Sequence, residues 1–130
     1  MRYYVDFDRA LFDAPSGRLF NDAAGFLRDK ENASTIIVSS GERSVREPEV
    51  KQALEGIPRM SVMYTEGVRA GEYLAPHTHL HKDALLVDSA PDELALVQDT
   101  CPLLALYELR RDGKEGDGRW PVIRSLSELP

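Results

Sequence analysis

Apolar and polar positions along the chain switch between short β-branched runs and stretches of helical spacing. Tyr3-Tyr4-Val5 is an apolar run that stops at Asp6, and two residues later a second acid, Asp8, follows. A short apolar run bounded by polar residues reads as a buried strand. Ala14-Pro15-Ser16-Gly17 is a turn cluster, and over 19–30 Leu19, Phe20, Ala23, Ala24, Phe26 and Leu27 recur at helical spacing. This predicts a first helix, with Ser16 or Asn21 as its cap. After a polar break over 30–33, the run over 34–38 predicts a second strand ending at Ser39-Ser40-Gly41.

The pattern then repeats. A helix is predicted over 47–54, with Pro48 in its first turn and Gly56 near its stop. A third strand is predicted over 60–64 and a short helix over 71–75, cut by Pro76. The continuous apolar run over 84–87 ends at Asp88, as the first strand ends at Asp6. A helix over 92–98, a strand over 103–109, a Gly-rich polar loop over 112–118, a late strand at 122–123 and a terminal turn over 125–129 complete the chain. Strands alternating with helices predict a single α/β domain, a three-layer sandwich around a mainly parallel, Rossmann-like sheet. The gap from Asp8 to the second strand holds a turn and one helix, and the gap from Ser39 to Arg69 one helix and one strand.

Composition narrows the partners. The 130 residues suit one domain with one core. With 22 Asp+Glu against 16 Lys+Arg, a net charge of −6 disfavours nucleic-acid backbones. The lone Cys101 cannot form an internal disulfide, and its place beside Pro102 ahead of an apolar run reads as a small buried residue. No apolar stretch approaches the ~20 residues of a membrane span, and no signal-peptide pattern follows Met1. The expectation is a soluble, cytoplasmic protein that does not engage membranes.

Chemistry concentrates at three predicted strand ends: Asp6 and Asp8, Ser39 and Ser40, Asp88 and Asp92. In a parallel sheet these ends share one rim. A carboxylate can attack phosphorus, a second can serve as general acid and base, and a hydroxyl can orient phosphoryl oxygens. Carboxylates gathered this way repel one another unless a hard cation such as Mg²⁺ lies among them. Alone, two acids at a strand end are an ordinary solvated edge, and Ser before Gly is an ordinary turn.

The stretches Tyr4-Val5-Asp6-Phe7-Asp8-Arg9-Ala10, Ile36-Ile37-Val38-Ser39-Ser40-Gly41 and Leu86-Val87-Asp88-Ser89-Ala90-Pro91-Asp92 resemble, in order, the first, second and fourth motifs of the haloacid dehalogenase superfamily of phosphohydrolases. The resemblance implies Asp6 as nucleophile forming an aspartyl-phosphate, Asp8 as acid and base, and Ser39 as holder of the phosphoryl group. It implies Mg²⁺ held by Asp6, Asp8 through its carbonyl, Asp88 and Asp92. The chain departs from the pattern at Ala10, where the family has Thr or Val, and at the third-motif Lys. Arg69 stands about where that Lys falls, and Lys82, just before the Asp88 strand, is the alternative cation. The gaps between the motifs are too short for the cap domain many members of the family carry, so the resemblance implies an uncapped site suited to a phosphorylated macromolecule, or to a small molecule if a second copy in a homo-oligomer covers the site. The alternative is a catalytically impaired relative that binds a phosphorylated or protein partner through the acidic rim. A receiver-like phospho-acceptor also gathers acids around Mg²⁺, but it needs an acid ending the third strand, where Thr65-Glu66 stands.

Other features have plainer readings. His77, His79 and His81 would share a face if extended, a transition-metal pattern, against an exposed loop far from the acidic rim. Trp120 is expected to pack back on the sheet, and Arg9 is either a phosphate contact or an exposed flanking charge.

Overall fold

The computed structural model describes residues 1–29, 35–57, 60–77 and 81–130. Its centre is a six-stranded sheet built from β1 (Arg2–Asp6), β4 (Thr35–Ser39), β5 (Ser61–Tyr64), β6 (Ala84–Asp88), β7 (Ala105–Leu109) and β8 (Val122–Ile123). The strands lie in the order β5-β4-β1-β6-β7-β8, and every pairing is parallel. A small antiparallel hairpin, β2 (Phe12–Asp13) with β3 (Arg18–Leu19), stands outside the sheet. Among the described residues four α-helices connect the strands: α1 (Asn21–Asp29), α2 (Arg43–Ala53), α3 (Ala70–Leu74) and α4 (Pro91–Thr100).

Side-chain alternation along the strands sorts the core into two layers. Tyr3, Val5, Ile37, Leu85 and Val87 face one way, against Phe26 and Leu27 of α1 and Val50 of α2. Tyr4, Val38, Ala84, Leu86 and Leu106 face the other, against Leu74 of α3 and Leu94 and Val97 of α4. The central strands are thus buried on both faces, which is why they read as continuous apolar runs. The result is the expected α/β sandwich, and no cap domain lies among the described residues. Cys101 and Trp120 are both buried in the α3/α4 layer, as the sequence leads one to expect.

The chain steps from β1 to β4 and β5 on one side, then crosses back to β6 and β7 on the other. The order reverses between β1 and β6, and ligands in open α/β sheets sit in the crevice beyond the strand ends at such a point. Val5 pairs with Val87, so Asp6 and Asp88 come next on the two strands that flank the crevice.

Local structure differs from the pattern-based expectation in four places. Residues 7–11 form a π-helical turn, Phe7–Leu11, whose cap is Asp6: its carboxylate accepts from the Arg9 N–H. Arg18 and Leu19 pair with the end of that turn as a strand, so α1 begins at Asn21 rather than at residue 19. Gly17, at φ +71°, closes the hairpin and donates its N–H to the Asp13 carbonyl. Helix α2 begins at Arg43 rather than 47, leaving Pro48 inside it. β7 starts at Ala105, leaving Leu103 exposed. Lys30 and Ser34, the ends of two expected elements, lie outside the described residues, as does the polar break between them.

The C-terminal segment is tied down by charge. Asp22 of α1 accepts from the Leu126 N–H at 2.8 Å, from Ser125 Oγ at 3.1 Å and from Arg111 at 2.6 Å. Burial works to raise this carboxyl, but the bonds from Leu126, Arg111 and Ser125 outweigh it and leave Asp22 below its ordinary value. A depressed folded-state value contributes stability above the unfolded pKa, and that contribution is lost as pH falls through the folded one. Denaturant titrations should therefore show acid weakening of the wild type below about pH 4 that is smaller in Asp22→Asn. Leu85, fully buried between β1 and β7, should cost about 2–5 kcal/mol on replacement by Ala in the same titration.

Candidate active site

Asp6 and Asp88 end adjacent strands and are 4% and 2% exposed. Two carboxylates cannot sit side by side in such burial without a cation, and Arg9 supplies one. Its Nε donates to Asp88 Oδ1 at 2.8 Å and one terminal nitrogen to Asp88 Oδ2 at 3.0 Å. That terminal nitrogen also reaches Asp6 Oδ1 at 3.2 Å, while the Arg9 backbone N–H binds Asp6 Oδ2 at 2.8 Å. Asp88 Oδ1 accepts two further bonds, from the N–H groups of Ser89 at 2.6 Å and Ala90 at 3.2 Å. Burial first, then the charge of Asp88, push the Asp6 carboxyl up to about 8, against the opposing pull of Arg9. The bonds to Asp88 hold the Arg9 guanidinium above its already high ordinary value.

Asp8 lies on the π-helical turn and is ion-paired to Arg46 of α2. Arg46 also reaches Glu49 at 3.0 Å and lies over the Phe7 ring, 5.9 Å from its centroid. Ser39, the last residue of β4, is fully buried, and its hydroxyl meets no hydrogen-bond partner among the described residues. The backbone around it is held from β5: Thr65 N–H donates to the Ser39 carbonyl at 3.0 Å, and Thr65 Oγ1 accepts from Gly41 N–H at 3.3 Å. Asp6, Asp8, Ser39 and Asp88 thus share the carboxyl-end rim of the sheet, as their places at strand ends foretell.

The remaining candidates lie further out. Arg69 caps α3 and turns to the start of α4, pairing with Glu93 at 3.0 Å and donating to the Asp92 carbonyl at 3.1 Å. Asp92 itself is exposed. Among the described residues no cluster of three or more His, Cys, Asp or Glu is arranged to hold a metal, so the four acids do not form a ready-made cage. Lys82 is exposed beside Asp83, whose carbonyl accepts from the Arg2 N–H at the start of β1. It therefore stands at the edge opposite the acids. His77 and His81 donate ring N–H groups to the Tyr73 and Leu74 carbonyls, at 3.1 and 2.8 Å, so they tie down the end of α3. His79 lies outside the described residues.

Three groups escape a reading of the sequence. Arg9 is neither an exposed flanking charge nor a free phosphate contact but the counter-ion of both buried acids. Arg46 is missed because the pattern starts its helix four residues late. Glu108, paired in register with Asp88, is fully buried, with Oε1 accepting from Asp117 N–H at 2.9 Å and Oε2 3.7 Å from Arg110. Within an apolar strand pattern, a single acid directly after Tyr107 is the signal that marks it.

The donors fit a hard divalent cation: carboxylate oxygens only, two of them deeply buried, with a standing demand for positive charge shown by the raised Asp6. Asp6 and Asp88 are the residues that could hold such a cation, and in this structure Arg9 occupies their oxygens. No protein-family model and no curated protein matches this chain. No described helix is long and apolar enough to cross a membrane.

The electrostatics predict a pH dependence. A raised Asp6 means that the folded state binds the extra proton between about pH 4 and pH 8, so stability falls as pH rises through that window. Denaturant titrations without divalent cation should show this decline in the wild type, and Asp6→Asn should flatten it. A slope unchanged by Asp6→Asn would refute the assignment.

Proposed function

We propose that this chain is a Mg²⁺-dependent phosphohydrolase acting on a phosphomonoester through an aspartyl-phosphate. The observation that carries the reading is the meeting of Asp6 and Asp88, at the switch point of the sheet, with Asp8 two residues beyond and the unpartnered Ser39 hydroxyl on the neighbouring strand. A bound Mg²⁺ supplies charge that lowers the cost of bringing a phosphate dianion to buried carboxylates.

The residues then divide the work. An Asp6 oxygen attacks phosphorus and the bond to the leaving oxygen breaks, with Asp8 delivering the proton that oxygen needs. Asp8, now a carboxylate, takes a proton from water as that water attacks phosphorus; the Asp6–phosphorus bond breaks and inorganic phosphate leaves. Ser39 donates its hydroxyl to a phosphoryl oxygen. Arg46, now on Asp8, brings the cation nearest to the proton shuttle. Arg69 adds positive charge from the loop ahead of α3, and its bonds to Glu93 and Asp92 steady the start of α4. With no cap among the described residues, the rim suits a phosphate carried on a macromolecule or on a small molecule enclosed by a second copy.

One observation favours a second reading, a binding module without turnover: both Asp6 oxygens are engaged by Arg9. Phosphate release from a panel of phosphomonoesters with Mg²⁺ separates the two. The hydrolase should turn over at least one of them. Asp6→Asn should lower that rate about 10³-fold or more, and Ser39→Ala about 10²-fold, as for loss of one transition-state donor. No release from any ester, with Asp6→Asn indistinguishable from wild type, would leave the binding module.

A further inference from the structure

We propose that Arg9 is a tethered cation that occupies the place of the divalent metal and must be exchanged for it, so that metal entry and release of Arg9 from Asp6 and Asp88 are one event. The inference rests on the reading of the rim as a metal-dependent site and adds what governs access to it.

Charge and geometry both point this way. Arg9 brings one positive charge to two buried carboxyl groups, enough to balance one carboxylate; a divalent ion brings enough for both. The guanidinium covers both oxygens of Asp88 and one of Asp6, the donors that a metal would need. Its backbone is anchored separately, since its N–H is held by Asp6 and its carbonyl accepts from Ser89 Oγ at 3.2 Å. The side chain can therefore leave without dragging the turn. It is 34% exposed, while its two partners are nearly inaccessible. It also lines an open cavity of about 270 Å³ with Phe20, Ser89, Leu109, Arg110, Arg111 and Asp112, in which the Asp112 carboxylate accepts from Arg110 at 3.2 Å and from the Lys114 N–H at 3.0 Å. A displaced guanidinium thus has neighbouring open space to turn into.

The exchange carries a defined energetic signature. Apparent metal affinity is the intrinsic affinity multiplied by the fraction of molecules in which Arg9 has released the acids, and removing Arg9 removes that penalty. Without metal, removing Arg9 also leaves two buried carboxylates facing each other, which destabilises the fold.

Two measurements test this, both using Mg²⁺ alone. In the first, Mg²⁺ binding by calorimetry and thermal unfolding is compared in wild type and Arg9→Gln. The variant should bind Mg²⁺ about tenfold tighter or more. It should also unfold at lower temperature than wild type without Mg²⁺, and gain more from its addition. In the second, wild type is labelled with phenylglyoxal with and without Mg²⁺, and the peptide containing Arg9 is quantified by mass spectrometry. Mg²⁺ should increase labelling of Arg9 several-fold, which a charge that merely sits near the metal would not do. If Arg9→Gln fails to fold, this labelling decides alone. Equal Mg²⁺ affinity in the two proteins, or Arg9 labelling that Mg²⁺ leaves unchanged or lowers, overturns the exchange. Phosphate release assayed on the same samples keeps the readings apart: absent turnover with Arg9 exchange intact rejects only the hydrolase, and turnover with static Arg9 rejects only the exchange.

Discussion

Two carboxylates buried at the ends of neighbouring central strands are the constraint around which the molecule is arranged. Neither Asp6 nor Asp88 can give up its hydration without a positive charge in contact, because an unpaired buried charge costs several kcal/mol. The chain meets that demand within three residues of Asp6. The π-helical turn after β1 brings Arg9 back over the strand end, where its planar fork matches the Asp88 carboxylate in a way a lysine could not. The same turn carries Asp8 outward to Arg46, so the strand end, the turn and the second helix form one electrostatic unit.

That unit explains the surrounding architecture. A short wide turn needs something to hold its far end, and the hairpin of β2 with β3 does so before α1 departs. Arg111 donates to the Ala10 carbonyl of the turn at 2.7 Å and to Asp22 on α1, tying the turn to the helix and, through Asp22, to the C-terminal segment. On the other side of the crevice, the two N–H groups after β6 fix Asp88, and Arg69 fixes the start of α4. The backbone of the rim is therefore held on both sides of the crevice. In the proposed phosphohydrolase, such a frame would let bound charge be redistributed around a doubly charged phosphate without the backbone moving.

The fold was legible because its signals are local and repeated. Apolar runs ending in Asp6, Ser39 and Asp88, each followed by a helix-forming stretch, suffice to specify a parallel sheet with its polar ends on one side. Local pattern misleads where tertiary pairing overrides it. Leu19 has helical spacing with its successors yet pairs with Phe12, because the hairpin offers its backbone partners that an isolated helix end would lack. Pro48 reads as a first-turn residue, but the helix extends one turn ahead of it, supported by ion pairs of Glu47 with Arg43 and Lys51.

The sequence by itself determined which residues end strands, and hence that Asp6, Asp8, Ser39 and Asp88 would meet on one rim. It could do so because strand ends are set by a change of polarity that any window of the chain displays. Only the tertiary structure decided how the charges on that rim pair. Arg9 and Asp88 are 79 positions apart, as the bonds between them record, and Arg46 and Asp8 are 38 apart. No local pattern encodes a partner at that distance. The choice of Arg9 over Arg69 or Lys82 as the cation on Asp6 follows from where the turn and the helices put each side chain.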